Sequence, residues 1–425
     1  MNVLIVGTGA REHALTWKVL QSPLSRAVFC APGNAATGAI AVNVPVPTTD
    51  VDGIARLAHE REIDLTIVGP EGAVAAGVVD RLTSVGRLAL GPTAAAGRIE
   101  SSKVFAKTLM QKVGVPTPAF AVFTEASAAK AYVQKQGRPF VVKADGLAKG
   151  KGSIVPDDIP ETLEAIDTFM LSRAVGAAAD QVLLEERVEG REVSLLALVD
   201  GERVIPMVPA CDYKRAMDDD RGPNTGGMGG YSPPGFFTDD DVRAAVATVF
   251  QPVVDELRAR GTPYRGCLYA GLIQRPTGVE VLEFNARFGD PETQVILPRL
   301  SGDVLPAFQA AAAGNLSPES LSWSDRVSVG VVLASRGYPG HYQTGHPVEG
   351  LSRLEPDVFA FHGGTVAAPD GYRTAGGRVL TLVALGDTLA DARDRVYRSA
   401  QRVSFEGMSY RRDIAQREIT ASVAS

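Results

Sequence analysis

Cysteine is scarce in this chain of 425 residues, which carries only Cys30, Cys211 and Cys267. Three scattered thiols are too few for a disulfide framework or for a thiolate metal site. The opening residues also lack the basic segment with which a secretory signal begins. These absences are typical of a protein of a reducing compartment, and we therefore expect a cytoplasmic location.

Long apolar runs and an excess of basic residues are missing as well. No stretch approaches the roughly 18 uninterrupted apolar residues of a membrane span, so no membrane partner is expected. The 43 Lys and Arg residues are outnumbered by 49 Asp and Glu residues, which gives a net charge of −6. Because a duplex-binding protein needs a broad positive field, nucleic acid is not an expected partner either.

The composition that remains is that of an ordinary globular protein, with 45% hydrophobic and 22% charged residues. At about 150 residues per domain, the chain has room for two to four domains. We expect small molecules as its partners, and we expect it to act as a monomer.

The first hundred residues alternate short apolar segments with helical patterns. Helical spacing predicts helices at residues 11–20, 51–60 and 73–83. Alternation of strand and helix predicts a doubly wound parallel sheet, so we assign residues 1–100 to an N-terminal α/β domain. Short runs rich in β-branched residues predict its buried strands at residues 3–6, 27–31, 65–68 and 88–90.

A second predicted unit, residues 101–325, mixes helices and strands. A helix is predicted over residues 238–260, with Thr238 as its cap and Asp241 three residues later. Residues 209–235 form a long irregular segment, of the kind that is usually functional or mobile. The other predicted elements are helices at 103–113 and 127–136, strands at 119–123, 140–144, 181–186, 192–199 and 204–207, and a hairpin of 267–274 with 279–284. Residues 326–425 predict a small α+β domain.

Three polar turns follow predicted strands of the N-terminal sheet. Gly7-Thr-Gly9-Ala-Arg11 opens a helix, where backbone N–H groups can hold an anion. A dinucleotide fingerprint needs a third glycine where Glu12 stands, so an oxidoreductase is excluded. On its own, this loop is equally consistent with a tight structural turn. Asn34 and Glu71 lie in the next two turns, and because open α/β sheets bind ligands at this edge, the three turns together favour a small-molecule site.

A strand that ends at Lys143 is followed by a loop rich in glycine and lysine, which includes Lys149, Gly150 and Gly152. Glycines let the backbone approach phosphate oxygens, and lysines supply charge. The spacing does not fit a Walker A loop, because Gly152 stands where Ser or Thr is required. A basic hairpin loop in solvent is the alternative. A lysine at the end of an apolar strand needs an anion, so we favour a polyphosphate site.

Two acidic segments also follow predicted strands. Glu185, Glu186 and Glu192 could accept hydrogen bonds from an adenine amino group or from ribose hydroxyls, although by composition alone this segment is a surface charge run. Glu283 and Asn285 lie two residues apart and therefore point to one face of a strand. Two hard oxygen donors are typical of a Mg²⁺ site that keeps water and phosphate oxygens as its other ligands. Arg287 continues the alternation and could neutralise a transferring phosphoryl group.

Taken together, these segments resemble the ATP-grasp ligases, and within them the phosphoribosylamine–glycine ligase family, from end to end. The sequence departs from the family pattern at Ala10, where a second glycine is expected, and at Lys149, where a small residue is usual. The resemblance is carried by Gly7-x-Gly9-x-Arg11-Glu12-His13-Ala14-Leu15, Ala31-Pro-Gly-Asn34, Val68-Gly-Pro-Glu71, Lys143-Ala-Asp-Gly-Leu147, Asp212-x-Lys214-Arg215, Gly222-Pro-Asn-Thr-Gly-Gly-Met-Gly229 and Glu283-Phe-Asn285-x-Arg287-Phe-Gly-Asp-Pro-Glu292.

The resemblance implies a four-part fold, in which residues 119–192 form a lid over ATP and a C-terminal domain completes the enclosure. It implies Glu283 and Asn285 as ligands of Mg²⁺ or Mn²⁺, and catalytic roles for Arg287, Lys143 and Asp212. The ATP-binding residues that it implies are Lys103, Lys143, Lys149, Gly150, Gly152, Glu185, Glu186, Val188 and Glu192. The substrate-binding residues that it implies are Gly9, Arg11, Asn34, Glu71, Gly226, Gly227 and Asp290.

The implied reaction joins glycine to 5-phosphoribosylamine with ATP, through a glycyl phosphate, and gives glycinamide ribonucleotide, ADP and phosphate. It requires no nucleophilic Cys or Ser, and the sequence offers no convincing one. One alternative is an ATP-grasp ligase with another carboxylate and amine. A second is a nucleotide-sensing module without turnover, which Glu283, Asn285 and Arg287 together disfavour, because a sensor needs no clamp on a γ-phosphate.

Overall fold

The N-terminal unit has the predicted parallel sheet. The computed structural model describes residues 1–148, 152–173 and 176–424. Its first strands are β1 Asn2–Gly7, β2 Ala27–Pro32, β3 Val42–Asn43, β4 Leu65–Val68 and β5 Ala89–Leu90. Its first helices are α1 Ala10–Val19, α2 Thr37–Ile40, α3 Val51–Glu60, α4 Glu71–Ala75, α5 Val78–Ser84 and α6 Arg98–Ser101. The strand order is β3-β2-β1-β4-β5, and every pairing is parallel.

One predicted helix of this unit is wrong as a single element. Residues 73–83 belong to two helices, α4 and α5, which are separated at Gly77. Gly77 has a φ of +86°, in the left-handed region that favours glycine, and the chain changes direction there. The helical spacing of apolar residues continues across Gly77, so the sequence pattern did not indicate the break.

Helix α7, Lys103–Val113, leads into a small antiparallel sheet that is covered by two further helices. The elements of this unit are β6 Phe120–Phe123, α8 Ala126–Gln136, β7 Val141–Ala144, β8 Ser153–Ile154, α9 Ile159–Met170 and β9 Val182–Glu185. The order of its strands is β6-β9-β7-β8. The sequence did not predict α9, although Asp158 caps it by accepting a hydrogen bond from the Glu161 amide at 2.8 Å.

The central unit contains the predicted hairpin and the predicted long helix. The helix begins at its Thr238 cap and includes a π turn at Val246–Phe250, because Pro252 has no N–H to donate to the preceding turn. The elements are β10 Arg191–Asp200, β11 Val204–Pro206, β12 Cys211–Asp212, β13 Arg215–Met217, β14 Arg221–Asn224, β15 Gly229–Ser232, α10 Asp239–Ala245, α11 Gln251–Ala259, β16 Arg265–Arg275, β17 Gly278–Asn285, α12 Glu292–Ile296 and α13 Val304–Ala313.

The main sheet of this unit is antiparallel, with the strand order β11-β10-β16-β17. Its β16–β17 pairing places Asn285 opposite Tyr269 and Glu283 opposite Gly271. The segment predicted to be irregular, 209–235, contains four short strands instead. Two of them, β12 and β15, join the sheet of the C-terminal unit, so this segment crosses the domain boundary predicted at residue 325.

The C-terminal unit is an antiparallel sheet with helices. Its principal strand order is β12-β15-β18-β23-β20, with β24 paired to β18. Within the described residues, no helix combines the length and the apolar character needed to cross a membrane. The elements are β18 Val327–Ser335, β19 Pro347–Val348, β20 Val358–His362, β21 Thr365–Ala368, β22 Gly371–Thr374, β23 Arg378–Gly386, α14 Leu389–Ala400, β24 Met408–Ser409 and α15 Gln416–Ala424. Short 3₁₀ turns lie at Gly176–Ala179, Asp218–Asp220, Leu297–Arg299 and Leu351–Arg353.

One buried apolar cluster joins the three large sheets. It includes Ile5 of β1, Leu198 of β10, Phe361 of β20 and Phe288, which follows β17. Because these side chains pack in one continuous core, the loops at the ends of their strands converge on a common region. Four of the predicted functional residues, Gly9, Asn34, Arg287 and Asp290, lie in the loops that follow β1, β2 and β17.

Candidate active site

The Glu12 side chain occupies the opening glycine loop. Its carboxylate accepts a hydrogen bond from the Gly9 amide at 2.6 Å and pairs with Arg11 at 2.6 Å. A Cβ on Gly7 or Gly69 would lie within 2.3 Å of the Glu12 side chain. The loop therefore surrounds the Glu12 carboxylate, and the absence of side chains at Gly7 and Gly69 leaves space for it.

Arg11 and Asn34 connect the N-terminal loops to the other units. Arg11 is buried and donates a hydrogen bond to the Phe288 carbonyl at 2.9 Å. Asn34 donates from Nδ2 to the Thr8 carbonyl at 2.9 Å and to the His362 carbonyl at 2.8 Å. Both side chains therefore fix the relative positions of the loops around the site.

Arg287 lies where the N-terminal unit meets the central sheet. Its Nε is 3.2 Å from Glu71 Oε2 and 3.2 Å from Glu100 Oε1, and its Nη2 donates to Asn285 Oδ1 at 3.2 Å. Burial alone would lower the pKa of Arg287, but Glu100 and Glu71 raise it above its ordinary value. Burial alone would raise the pKa of Glu71, but Arg287 and Arg11 hold it below its ordinary value. The structure thus brings Arg287, Asn285 and Glu71 together.

Glu283 and Asn285 share one face of β17, as the alternation predicts. Burial alone would raise the pKa of Glu283, but Lys214, Lys103 and Lys143 hold it below its ordinary value. The carboxylate is therefore ionised and surrounded by lysines from α7, from β7 and from the segment after β12. Such a set of charges suits a metal-bound polyphosphate.

Lys143 is buried and forms an ion pair with Glu185. Lys143 Nζ lies 2.6 Å from Glu185 Oε1 and donates to the Leu282 carbonyl at 3.0 Å. Lys103 lies at the start of α7 and points toward the glycine loop, since a Cβ on Gly152 would lie 3.7 Å from its Nζ. Lys149 and Gly150 lie outside the described residues.

The segment after β9 contributes the remaining predicted nucleotide contacts. Glu185 is buried and faces lysines, so its side chain is not open to an adenine. Glu186 pairs with Arg138, and both Glu186 and Val188 line a cleft of about 620 Å³ beside the β16–β17 turn. Glu192, at the start of β10, accepts a hydrogen bond from Lys214 at 3.0 Å.

Asp212 belongs to a buried hydrogen-bond network that includes side chains of β10 and β16. Ser194 donates to Asp212 Oδ1 at 3.4 Å, and Ser194 Oγ lies 2.9 Å from the Tyr269 hydroxyl, which donates to Glu292 at 2.8 Å. Burial raises the pKa of Asp212 to about 7, although Lys214 opposes the rise. A carboxyl with such a pKa can exchange a proton near neutral pH.

A cavity of about 380 Å³ lies between the N-terminal loops and the C-terminal sheet. Asp290 is held there by Arg378 Nη2 at 3.2 Å and by a hydrogen bond from Gln294 at 2.6 Å. Burial alone would raise the pKa of Asp290, but Arg378 and Arg11 hold it below its ordinary value. The cavity lining includes Gly9, Asn34, Asp290, Gly363, Gly364, Gly376 and Arg378.

Gly226 and Gly227 contact Arg378 and the Asp290-Pro291 segment, which adjoin this cavity. The Gly226 amide donates to the Tyr338 hydroxyl at 3.0 Å, and its carbonyl accepts from Arg378 at 2.8 Å. Gly227 has a φ of +112°, and a Cβ there would lie 2.4 Å from Pro291 Cδ. Only glycine permits this close approach of two loops.

Sequence reasoning missed the residues that the C-terminal unit and the helices contribute. Arg378, Gly363 and Gly364 line the cavity, and Glu100 holds Arg287. The pairs Gly363-Gly364 and Gly376-Gly377 were the available signal, since they allow the backbones of Gly364 and Gly376 to touch. Glu100 gave no signal, because it lies within an ordinary short helix.

Fold and site together define an ATP-grasp enzyme. Residues 101–293 match the description "Phosphoribosylglycinamide synthetase, ATP-grasp (A) domain", residues 1–100 match its N domain and residues 328–417 its C domain. The solved biotin carboxylase–β,γ-ATP complex of Campylobacter jejuni is 16% identical, with a TM-score of 0.74 over 96% of this chain and 92% of that one. At that identity the likeness concerns the fold alone.

Two relatives narrow the class to a family. The phosphoribosylamine–glycine ligase of Halalkalibacterium halodurans is 44% identical over 425 residues, covering 100% of this chain and 99% of the relative. The solved phosphoribosylamine–glycine ligase of Thermotoga maritima is 32% identical, with a TM-score of 0.84 over 98% of this chain and all of that one. The chain belongs to the phosphoribosylglycinamide synthetase family, and it is an ATP-dependent ligase.

Proposed function

We propose that this chain joins glycine to 5-phosphoribosylamine in purine biosynthesis, with the conversion of ATP to ADP and phosphate. The observation that carries the proposal is the position of Arg287, which contacts Asn285 on the central sheet and Glu71 at the edge of the N-terminal sheet. The Arg287 guanidinium can therefore contact a phosphoryl group on the side of the central sheet and an acceptor substrate on the side of the N-terminal sheet.

We assign ATP to the cleft between the lid, residues 119–192, and the central sheet. Lys103, Lys143 and Gly152 face the phosphates, and the backbone of residues 185–188 together with Glu192 faces the nucleoside. The support for this assignment is the convergence of Lys103, Lys143 and Lys214 on Glu283. Lys149 and Gly150 are part of the proposed loop on sequence grounds.

Glu283 and Asn285 fit a divalent cation such as Mg²⁺ or Mn²⁺. Both offer oxygen donors, and Glu283 is kept ionised by the neighbouring lysines. In the described part of the chain, no group of three or more His, Cys, Asp or Glu side chains is placed for a metal. Phosphate oxygens and water would therefore complete the ligand set. When bound, the cation offsets charge on the transferring phosphoryl group.

We assign phosphoribosylamine to the cavity of about 380 Å³. Gly9, Asn34, Asp290, Gly226 and Gly227 lie on or beside it, as does Arg378 of the C-terminal unit. The Arg378 guanidinium suits a phosphate, and the Asp290 carboxylate suits ribose hydroxyls. Arg11 and Glu71 lie at the same edge of the N-terminal sheet, where Arg11 contacts the Phe288 carbonyl and Glu71 pairs with Arg287.

The chemistry follows from the order of these groups. A carboxylate is a poor acyl donor, so a glycine oxygen first attacks the γ-phosphorus of ATP, ADP leaves, and glycyl phosphate forms. The ribosylamine nitrogen then attacks the glycyl carbonyl carbon, the C–O bond to phosphate breaks, and the nitrogen loses a proton. We assign charge stabilisation in the first step to Arg287 and Lys143, and proton exchange in the second step to Asp212. Action as a monomer and a cytoplasmic location stay predictions.

The proposal is tested by product formation with each substrate omitted in turn. ADP and glycinamide ribonucleotide, measured by chromatography and mass spectrometry, should form only when ATP, glycine and 5-phosphoribosylamine are all present. Equal phosphate release without glycine would favour an ATP-grasp ligase with another carboxylate substrate. Nucleotide binding without any turnover would favour the nucleotide-sensing alternative.

A further inference from the structure

Three charged side chains are buried together where the lid joins the central unit. Lys107 is 2% exposed, Glu185 is 2% exposed and Lys143 is 6% exposed. Lys143 Nζ lies 2.6 Å from Glu185 Oε1, and Lys107 pairs with the other oxygen, Glu185 Oε2. One carboxylate thus sits between two ammonium groups.

This cluster connects four elements. Lys107 is on α7, Lys143 is on β7, and Glu185 is the last residue of β9. Lys107 also donates to the Thr117 hydroxyl and to the Val281 carbonyl at 3.3 Å, while Lys143 donates to the Leu282 carbonyl at 3.0 Å. The two lysines therefore connect two of the lid strands, β7 and β9, to β17, which carries the proposed metal ligands.

The charges of the cluster do not cancel. Two ammonium groups and one carboxylate leave a net positive charge of one in a site that is shielded from water. Burial lowers the pKa of Lys107 to about 8, although Glu185 opposes the fall, so its ammonium form still predominates at neutral pH. Glu283 also acts electrostatically on both lysines, but the cation proposed for Glu283 would offset that carboxylate, so the cluster favours a further anion beside it. The proposed ATP phosphates are that anion.

We propose that Lys107 is a positioning residue for ATP: it neutralises one oxygen of Glu185, so that Lys143 keeps its net charge for a phosphate. Without Lys107, Glu185 and Lys143 form a balanced pair, and the attraction between the cluster and a polyphosphate is lost. Lys107 itself touches no substrate. This inference rests on the proposed function only in placing ATP in this cleft.

The test measures the binding of an ATP analogue by calorimetry, with variants that first remove and then restore the net charge of the cluster. The probe is a non-hydrolysable ATP analogue with Mg²⁺, in the absence of glycine and the amine. Lys107→Met removes the charge at similar length and should weaken analogue binding about tenfold, which corresponds to about 1.4 kcal/mol. Glu185→Gln together with Lys107→Met restores the net charge, and its dissociation constant should return to within about threefold of wild type.

Lys112→Met is the matched control, since Lys112 lies on the same helix, pairs with Glu256 at 2.6 Å and has a side chain that is 60% exposed. It should bind the analogue like wild type. The double variant keeps the wild-type net charge, so it remains decisive if the single variant does not fold. Binding by Lys107→Met at the wild-type level, or by the double variant more than tenfold weaker than wild type, would overturn the proposal.

A purely structural role for Lys107 predicts a different pattern. Both variants would then lose thermal stability, and the second substitution would weaken analogue binding further rather than restore it, which overturns the inference. Wild-type protein that binds the analogue but forms no glycinamide ribonucleotide would contradict the proposed function and leave the role of Lys107 in place.

Discussion

Each functional side chain of this site is oriented by partners from another part of the chain. Arg287 contacts Asn285 on its own strand end, but its carboxylate partners, Glu71 and Glu100, come from the N-terminal unit and its last helix. Lys143 follows the same rule, because its anion is Glu185 of the neighbouring strand. A single substitution at these positions therefore changes the charge balance of its partners as well as its own contacts.

Arg287→Lys should lower kcat by roughly 10²–10³ and leave ATP affinity near wild type. A lysine cannot reproduce the planar guanidinium that spans two groups, and the contacts concerned should strengthen as charge shifts in the transition state. The measurements are kcat, the dissociation constant of an ATP analogue and the melting temperature on one preparation. Arg258→Lys, at an exposed position, is the control. A destabilised variant that keeps its turnover would show that Arg287 only holds the loop.

Glu283→Gln should raise the Mg²⁺ concentration needed for half-maximal turnover by at least about tenfold. The amide preserves the shape of the side chain but removes the anionic ligand, which is the stronger attraction for a hard cation. A Mg²⁺ titration of initial rates gives the answer. Glu202→Gln, at an exposed position and paired with Arg258, is the control. An unchanged Mg²⁺ requirement in Glu283→Gln would mean that the cation binds elsewhere.

At the level of the elements, the site depends on contacts between units that no local pattern encodes. Strand alternation correctly placed Glu283 and Asn285 on one face, because a strand has a fixed period of two. It could not place Glu100 or Lys107, since their partners are set by packing across the fold. The joint between α1 and β20 is another example, where the His362 amide donates to His13 Nδ1 at 3.0 Å.

His13→Asn should make stability less sensitive to acid. Burial, with His362 adding to it, lowers the pKa of His13 from 6.5 to about 3. As the pH falls, His13 is therefore protonated in the unfolded chain before it is protonated in the folded one. The full free energy of unfolding is present above about pH 6.5, and this group lowers it progressively below that pH. At pH 4.5 the wild type should lose about 2–3 kcal/mol more than the variant, relative to pH 7.5.

Asparagine can accept the same hydrogen bond from the His362 amide through its side-chain oxygen, so the joint itself is preserved. Urea unfolding of both proteins across this pH range gives the comparison. Parallel pH curves for the two proteins would show that His13 does not titrate differently in the folded state.

For the whole molecule, the sequence predicted the parts better than their assembly. The parallel sheet, the hairpin, the capped helix at Thr238 and the resemblance to the ATP-grasp ligases are all confirmed. The contribution of strands β12 and β15 to the C-terminal sheet was not predicted, because short two- to four-residue strands carry almost no periodic signal. Gly364 and Arg378 could not be assigned to the 380 Å³ cavity from the sequence, because that cavity forms only where the C-terminal sheet packs against the N-terminal loops.

The central claim is that ATP activates the glycine carboxylate as an acyl phosphate, and oxygen transfer tests it most directly. Glycine labelled with ¹⁸O in its carboxylate is supplied under turnover with ATP and 5-phosphoribosylamine, and the released phosphate is examined by mass spectrometry. Unlabelled glycine in ¹⁸O-water is the control for hydrolysis and should give unlabelled phosphate. The account predicts one labelled oxygen in each phosphate formed from labelled glycine. Unlabelled phosphate during glycinamide ribonucleotide formation would contradict it.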